Sequence, residues 1–349
     1  MRYRHGLVLG KFYPLHAGHV ALIRAALACC DRVSVQVLAS SAESLPADVR
    51  ASWIREELPT AHVTTVLDDE PVDYASEQAW DAHLALIRTA LDAPVDVVLT
   101  SDGYGSELAR RLGAAWQQVD PGRVAVPVSG RAVRADPGRW WWALTPAVRA
   151  WFARRIVVLG AESTGTTTLA GDLAAALGVA PVLEFGREWT VARPGGLTAP
   201  WHTAEFDLVA REQAAREDRA LRTTPLPLVV CDTDTLATTV WHERYVGHAS
   251  PSVVAVAAGR VPDLYLLTGD EIPFVQDGLR DGEHLRRAMT GRFRDVLTVA
   301  ERRGGAPWHE LHGSREERLA AALRLVRPLL EVPRFLADPL PERGVDAFD

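Results

Sequence analysis

Lysine is almost missing from this chain: of its 38 basic residues only Lys11 is lysine, and the other 37 are arginine. A lone lysine amid such a bias is a candidate for work that needs a compact charge on a flexible stem. Cysteine is scarce too. Cys29, Cys30 and Cys231 show no C-x-x-C spacing, two of them are adjacent, and they read as reduced, structural thiols of a cytosolic protein. Long apolar runs are absent. The run near Gly6–Leu9 is too short for a signal peptide, and no later stretch is long enough to cross a bilayer, so a cytoplasmic location without a membrane partner is expected. Positive charge is also short. A net charge of −7 argues against nucleic acid as a partner, because that affinity rests on clustered Lys and Arg. A small phosphorylated substrate needs only a local basic site.

What is present is a chain of 349 residues, longer than one core usually fills, with 48% hydrophobic and 24% charged residues. Two globular domains are expected, and disorder is not. The stretch that organises the chain is residues 156–169, IVVLGAESTGTTTL. An apolar strand breaks into Gly160-Ala161-Glu162-Ser163-Thr164-Gly165 and a helix then follows. That order aims backbone N–H groups and a positive helix end at a phosphate. The spacing is that of a Walker A loop, but Thr166 stands where lysine should, and Thr167 and Thr168 follow.

Before this loop, β-branched runs alternate with helical stretches. Strands are expected at His5–Gly10, Val33–Ala39, Ala61–Leu67 and Val95–Thr100, with helices near Gly18–Cys30, Pro46–Leu58, Ser76–Leu91 and Ser106–Leu112. The pattern predicts a parallel, doubly wound α/β sheet that binds its ligand where the strands end. The loop after the first strand reads Gly10-Lys11-Phe12-Tyr13-Pro14-Leu15-His16-Ala17-Gly18-His19. Two imidazoles, a lysine and a helix amino end suit triphosphate charge, acting by electrostatic stabilisation. Ligand spacing for a metal is lacking.

This ten-residue stretch resembles the G-x-F-x-P-x-H-x-G-H signature of the nucleotidylyltransferase superfamily, whose members join a nucleoside monophosphate to a phosphorylated substrate and release pyrophosphate. The superfamily's second signature, typically I-S-S-T-x-x-R, is matched by Val128-Ser129-Gly130-Arg131-Ala132-Val133-Arg134, with Arg131 at the threonine position. The resemblance implies that His16 and His19 contact the ATP phosphates and stabilise the pentacovalent transition state. By the same resemblance Lys11, Ser129 and Arg134 hold pyrophosphate, and Gly10, Phe12 and Gly18 belong to the ATP site. For the second substrate, Asp69 ends a strand and Trp80 offers an indole for stacking on a pyridinium ring, with core packing as the alternative. Thr100-Ser101-Asp102-Gly103 closes the fourth strand at the same edge, within approach of adenine or ribose.

Residues 136–152, with four tryptophans, are expected to pack the domains together. Beyond the loop, Pro181–Glu184 reads as a short strand followed by Phe185-Gly186-Arg187-Glu188-Trp189, and Thr203–Arg222 as a long helix. Leu226–Cys231 is a strand capped by Asp232-Thr233-Asp234, a Walker B-like end where a carboxylate holds Mg²⁺ or its waters. Strand Leu264–Thr268, a lid-like loop with Asp277 and Arg280, and helix Arg315–Leu330 follow, and the acidic tail is expected to be loosely held.

The order of GxxxxG loop, G-R-E, D-T-D and D-G-L-R resembles the kinase half of the NadR family, bifunctional proteins with nicotinamide-mononucleotide adenylyltransferase and ribosylnicotinamide kinase domains in this order. The resemblance implies a Rossmann-like nucleotidylyltransferase domain (1–135), a Trp-rich connector (136–153), a P-loop kinase-like α/β domain (154–331) and a tail (332–349). It implies ATP, nicotinamide mononucleotide and ribosylnicotinamide as small-molecule partners and Mg²⁺ as cofactor, held by Thr167 and Asp232. Glu184, Arg187, Asp234, Asp277 and Arg280 are then kinase substrate or lid residues, with Asp232 as Mg²⁺ ligand or base. The helix-turn-helix repressor domain of enterobacterial members is not expected, since the first strand begins near residue 5. Without the Walker lysine, the second half reads as a kinase rescued by Arg187, Arg280 or Arg286, as an ATP- or NAD-sensing module, or as a remnant. Adenylyl or cytidylyl transfer to another phosphate, such as phosphopantetheine, is the alternative for the first half. Assembly into homo-oligomers is left open.

Overall fold

The computed structural model describes residues 2–276, 278, 282–331 and 336–343, the Leu197 side chain apart. The chain divides into two compact units, residues 1–148 with 334–349, and residues 149–333. The expected Trp-rich connector is therefore split: up to Val148 it belongs to the first unit. There Trp141 is 4% exposed, and Leu144 bridges to His16. Residues Asp277 and Arg280, expected in the lid, lie outside the described residues.

In the first unit the elements run β1 (Tyr3–Gly10), α1 (Ala17–Cys29), β2 (Cys30–Ala39), α2 (Ala47–Glu57), β3 (His62–Leu67), β4 (Val72–Asp73), α3 (Glu77–Thr89), β5 (Val97–Thr100), α4 (Gly105–Leu112), β6 (Ala115–Gln118) and α5 (Gly130–Ala135), and α6 (Pro146–Phe152) spans the division at residues 148 and 149. The main sheet has the order β3-β2-β1-β5-β6 with every pairing parallel. Its strands are apolar on both faces because helices cover both. Leu7, Leu9 and Val98 face α3 and α4, while Val8, Val35 and Val37 are equally buried. The order reverses at β1, so the crevice at the carboxyl ends of β1 and β5 is the natural ligand site.

The second unit adds β7 (Arg154–Leu159), α7 (Thr166–Leu177), β8 (Pro181–Val182), α8 (Phe185–Ala192), α9 (Thr203–Thr223), β9 (Leu228–Asp232), α10 (Thr235–Val246), α11 (Pro251–Ala257), β10 (Leu264–Thr268), α12 (Arg286–Arg302), β11 (Trp308–Leu311) and α13 (Arg315–Glu331). Its parallel sheet has the order β11-β10-β7-β9-β8. The pleat sorts the core. Val157, Leu159, Cys231, Tyr265 and Leu267 meet Met289, Phe293 and Leu297 of α12, whereas Ile156, Val158, Val230 and Leu266 meet Leu169, Leu173 and Val326 of α7 and α13.

After α13 the chain returns to the first unit, where β12 (Glu342–Arg343) pairs in parallel with β4. The tail expected to be loosely held is thus docked over its described part, because β4 offers it a free sheet edge.

Candidate functional site

In the first unit, β1 ends at Gly10 and its loop delivers two rings to the amino end of α1. His16 is the helix's N-cap but makes no capping bond with its side chain. The His16 and His19 rings stack at 3.7 Å between centroids, and the edge of Phe12 meets His19 at 4.9 Å. Both nitrogens of His16 and Nδ1 of His19 are buried without a hydrogen-bond partner among the described residues. Buried polar atoms left open in this way are a place for a ligand. Burial, with Arg123 and Arg134 nearby, lowers the His16 pKa to about 4, and burial next to His16 and Arg123 takes that of His19 well below its usual range. Both imidazoles are therefore neutral at pH 7, each with one N–H to donate.

The second signature reaches the same place. Ser129 caps α5 by accepting from the Ala132 N–H at 3.2 Å, and Arg134 donates to the Tyr13 carbonyl at 2.7 Å and lies over its ring. A Cβ on Gly18 would stand 3.1 Å from the His16 ring and 3.5 Å from Val128, so glycine lets the two signatures touch. His16, His19 and Arg134 thus share one site. Lys11 donates to the Leu340 carbonyl at 3.2 Å and pairs with Glu342 at 3.3 Å.

Residues that the sequence reading did not select complete this site. Arg50, 1% exposed, pairs with buried Glu43 at 2.7 Å and donates to the Lys11 and Leu45 carbonyls, fixing the loop's backbone. Arg123, salt-bridged to Asp102 at 2.8 Å, adds its charge to the imidazoles. Asp69 accepts from Ser40 and Ser41 and is exposed. Trp80 is 7% exposed, lies in the core with Leu84 and Ile87, and donates its indole N–H to the Tyr74 carbonyl. This corrects the expectation of an indole with a face for a pyridinium. Core packing claims the ring, since α3 turns its apolar stripe onto the sheet.

In the second unit the glycine-bounded loop joins β7 to α7. Gly165 has φ +87° and is the N-cap, a conformation that costs glycine nothing. At Gly160 a Cβ would strike Thr268 Oγ1, so the loop lies directly on β10. Thr164, fully buried, donates to the Ala161 carbonyl and pairs with Thr268 at 2.7 Å. It serves the loop's shape and is not among the residues lining the cavity, which corrects the expectation that Thr164 contacts nucleotide. Arg286 and Arg318 donate to the carbonyls of Ser163 and Thr164.

The cavity over this loop is walled by Gly160, Glu162, Ser163 and Thr166–Thr168 on one side and by Glu184, Arg187 and Asp232 on another. Thr166 and Thr167 hydroxyls hydrogen-bond to Asp232, whose pKa is raised by burial and moderated by those bonds and by Arg187. Burial and the charge of Asp232 push Glu184 up to about 7, against Arg187. Glu162 pairs with Arg244 at 2.6 Å. Asp234, expected to face substrate, is 1% exposed, caps α10 through Ala237 N–H and accepts from Tyr265 at 2.7 Å. That expectation is corrected: the next residue starts a helix, and the carboxylate is spent on its first turn. Trp201, Phe206, Trp241 and Tyr245 form an aromatic wall absent from the sequence reading. They come from three segments, Trp201 before α9, Phe206 on α9 and the pair Trp241 and Tyr245 on α10, and only the spacing of that pair is a local signal.

Fold and sites together define an α/β protein with two parallel sheets, each carrying a loop between the end of a central strand and a helix, the second of them a P-loop. In agreement, a family described as an AAA domain matches residues 155–318. The chain is homologous to NadR. It is 27% identical over 293 residues to the trifunctional NAD biosynthesis/regulator protein NadR of Escherichia coli K12, covering 79% of this chain and 71% of that protein. The NadR of Salmonella typhimurium LT2 matches at 27% over 292 residues, with the same coverage. A solved structure of a NadR protein in complex with NR shares the fold, with TM-score 0.72 at 20% identity over 98% of this chain and 99% of that one. Another, in complex with NAD and AMP-PNP, gives 0.68 at 20% identity over 95% and 97%. No described helix is long and apolar enough to cross a membrane.

Proposed function

We propose that the first unit transfers AMP from ATP to nicotinamide mononucleotide, giving NAD and pyrophosphate. The observation that carries this is the stacked, neutral His16–His19 pair, with open nitrogens at the amino end of α1 and Arg123 and Arg134 close by. The substrate phosphate attacks the α-phosphorus in line, the bond to pyrophosphate breaks, and no enzyme nucleophile is needed. The rate then comes from positioning and from donors fixed in place before charge develops. The choice of nicotinamide mononucleotide rests on the NadR relationship, since an adenylyl-transfer site alone suits several phosphates. A pyrophosphate-release screen with ATP against nicotinamide mononucleotide, nicotinate mononucleotide and phosphopantetheine tests it. Release with the first is expected, and release only with phosphopantetheine would reassign the unit.

For the second unit the same reading gives ATP-dependent phosphorylation of ribosylnicotinamide at its 5′ hydroxyl. The aromatic wall suits a flat cationic ring. Glu184, in the cavity lining and with its pKa raised to about 7, takes the hydroxyl's proton in this reading, while Asp232 stays with Thr166 and Thr167. Asp232 and Thr167 suit a hard cation by their oxygen donors, and Mg²⁺ there would neutralise phosphate charge. The Walker lysine's charge is supplied by Arg187. Arg187 lines the cavity together with Thr166, and its charge acts on Asp232 and Glu184 there.

A further inference from the structure

Residues 336–343 cross the first unit's site as an acidic strap. The Ala337 N–H donates to Ser44 Oγ at 3.0 Å, and the Tyr13 hydroxyl donates to the Ala337 carbonyl at 2.8 Å. Further along, the Leu340 carbonyl and the Glu342 carboxylate both take Lys11. Asp338 acts electrostatically on Arg134. The end of the segment is fixed by main chain: Glu342 and Arg343 pair with Val72 and Asp73, and Tyr74 N–H donates to the Arg343 carbonyl at 3.0 Å. Two acids therefore stand beside the two cations that the reading above gives to the triphosphate. The competition is one of charge: Glu342 neutralises Lys11 and Asp338 offsets Arg134, and both carboxylates would repel a triphosphate brought to the same cations.

We infer that this strap is a tethered competitor of the triphosphate, docked on Lys11 when the site is empty and released from it when ATP binds. The inference rests on the adenylyl-transfer reading of the first unit. It also assigns β4, a two-residue strand outside the main sheet, the job of strap receptor. An extended segment held by one strand pair, one ion pair and a few hydrogen bonds is weakly enough bound to be displaced.

The test uses the full chain. Glu342→Gln removes the charge that competes for Lys11, and Ala337→Pro removes the bond to Ser44 without altering charge. Both should lower the KM for ATP in pyrophosphate release by about two- to fivefold, as expected for a partly exposed ion pair. Hydrogen–deuterium exchange of peptides spanning 70–76 and 336–343 should rise when ATP alone is added to the unaltered protein. Exchange that falls on adding ATP, or a KM unmoved in both variants, overturns the strap and leaves adenylyl transfer standing. Pyrophosphate release absent from the unaltered protein and both variants overturns the two together.

Discussion

The two proposed phosphate sites stand at the same point of their sheets, beyond the carboxyl end of a central strand and at the amino end of the helix that follows, yet they offer phosphate charge opposite surroundings. The first presents neutral imidazoles with Arg123 and Arg134 around them, and its carboxylates Glu43, Asp102 and Glu342 are each paired with a cation. The second presents Glu162, Glu184 and Asp232, a threonine where a lysine is usual, and Arg187 among the lining residues. Sheet topology supplies only a position and a helix end. Whether phosphate can be held there depends on which buried groups stay neutral and which stay charged.

The sharpest way to break the first site is from beneath. Arg50→Met leaves Glu43 buried and unpaired, so a stability loss of about 3–5 kcal/mol is expected in denaturant unfolding. A loss under 1 kcal/mol would show that the pair does not hold the loop. Next in size, His19→Ala should slow adenylyl transfer by roughly 10²–10³-fold, the loss of one transition-state donor. Phosphoryl transfer in the second unit should be unaffected.

In the second site, Arg187→Ala should cost about a hundredfold in phosphorylation of ribosylnicotinamide. Thr166→Lys should leave the natural chain as active or more so and should restore much of the loss in the Arg187→Ala background. Rescue separates a missing phosphate cation from a lost substrate contact. The smallest effect is a pH dependence. Glu184 with its pKa near 7 is protonated below that value and cannot take a proton, so kcat/KM should climb about tenfold per pH unit up to pH 7 and flatten above. Glu184→Gln should lose that limb. A profile flat from pH 5.5 to 8 would remove Glu184 as base.

Much of this was legible because its signals are local. The strand at Leu264–Thr268 has the expected bounds, and the loops at 10–19 and 160–165 declare themselves by glycine, histidine and spacing. Elements with weaker local signals went unread. α12 is arginine-rich, and its apolar stripe is short, with Met289, Phe293 and Leu297 buried and Val296 beside them; α10 opens on a threonine-rich turn and is secured by the Asp234 cap. Arg50 with Glu43, the Trp201–Tyr245 wall and the strap were illegible for another reason. Each joins segments far apart in sequence or buries a charge that composition alone would put in water. Trp80 shows the converse error, since a tryptophan between polar neighbours looks available until its helix is rotated onto a sheet.

One paired labelling assay tests the central claim most directly. The full chain is given ATP labelled at either the α or the γ phosphate, with nicotinamide mononucleotide and ribosylnicotinamide supplied separately. The α label should enter a dinucleotide with the first substrate and be lost in His19→Ala, while the γ label should pass to the second substrate regardless of that substitution. An α label that stays in ATP or AMP, or a dinucleotide formed as fast by His19→Ala as by the natural chain, would contradict the account.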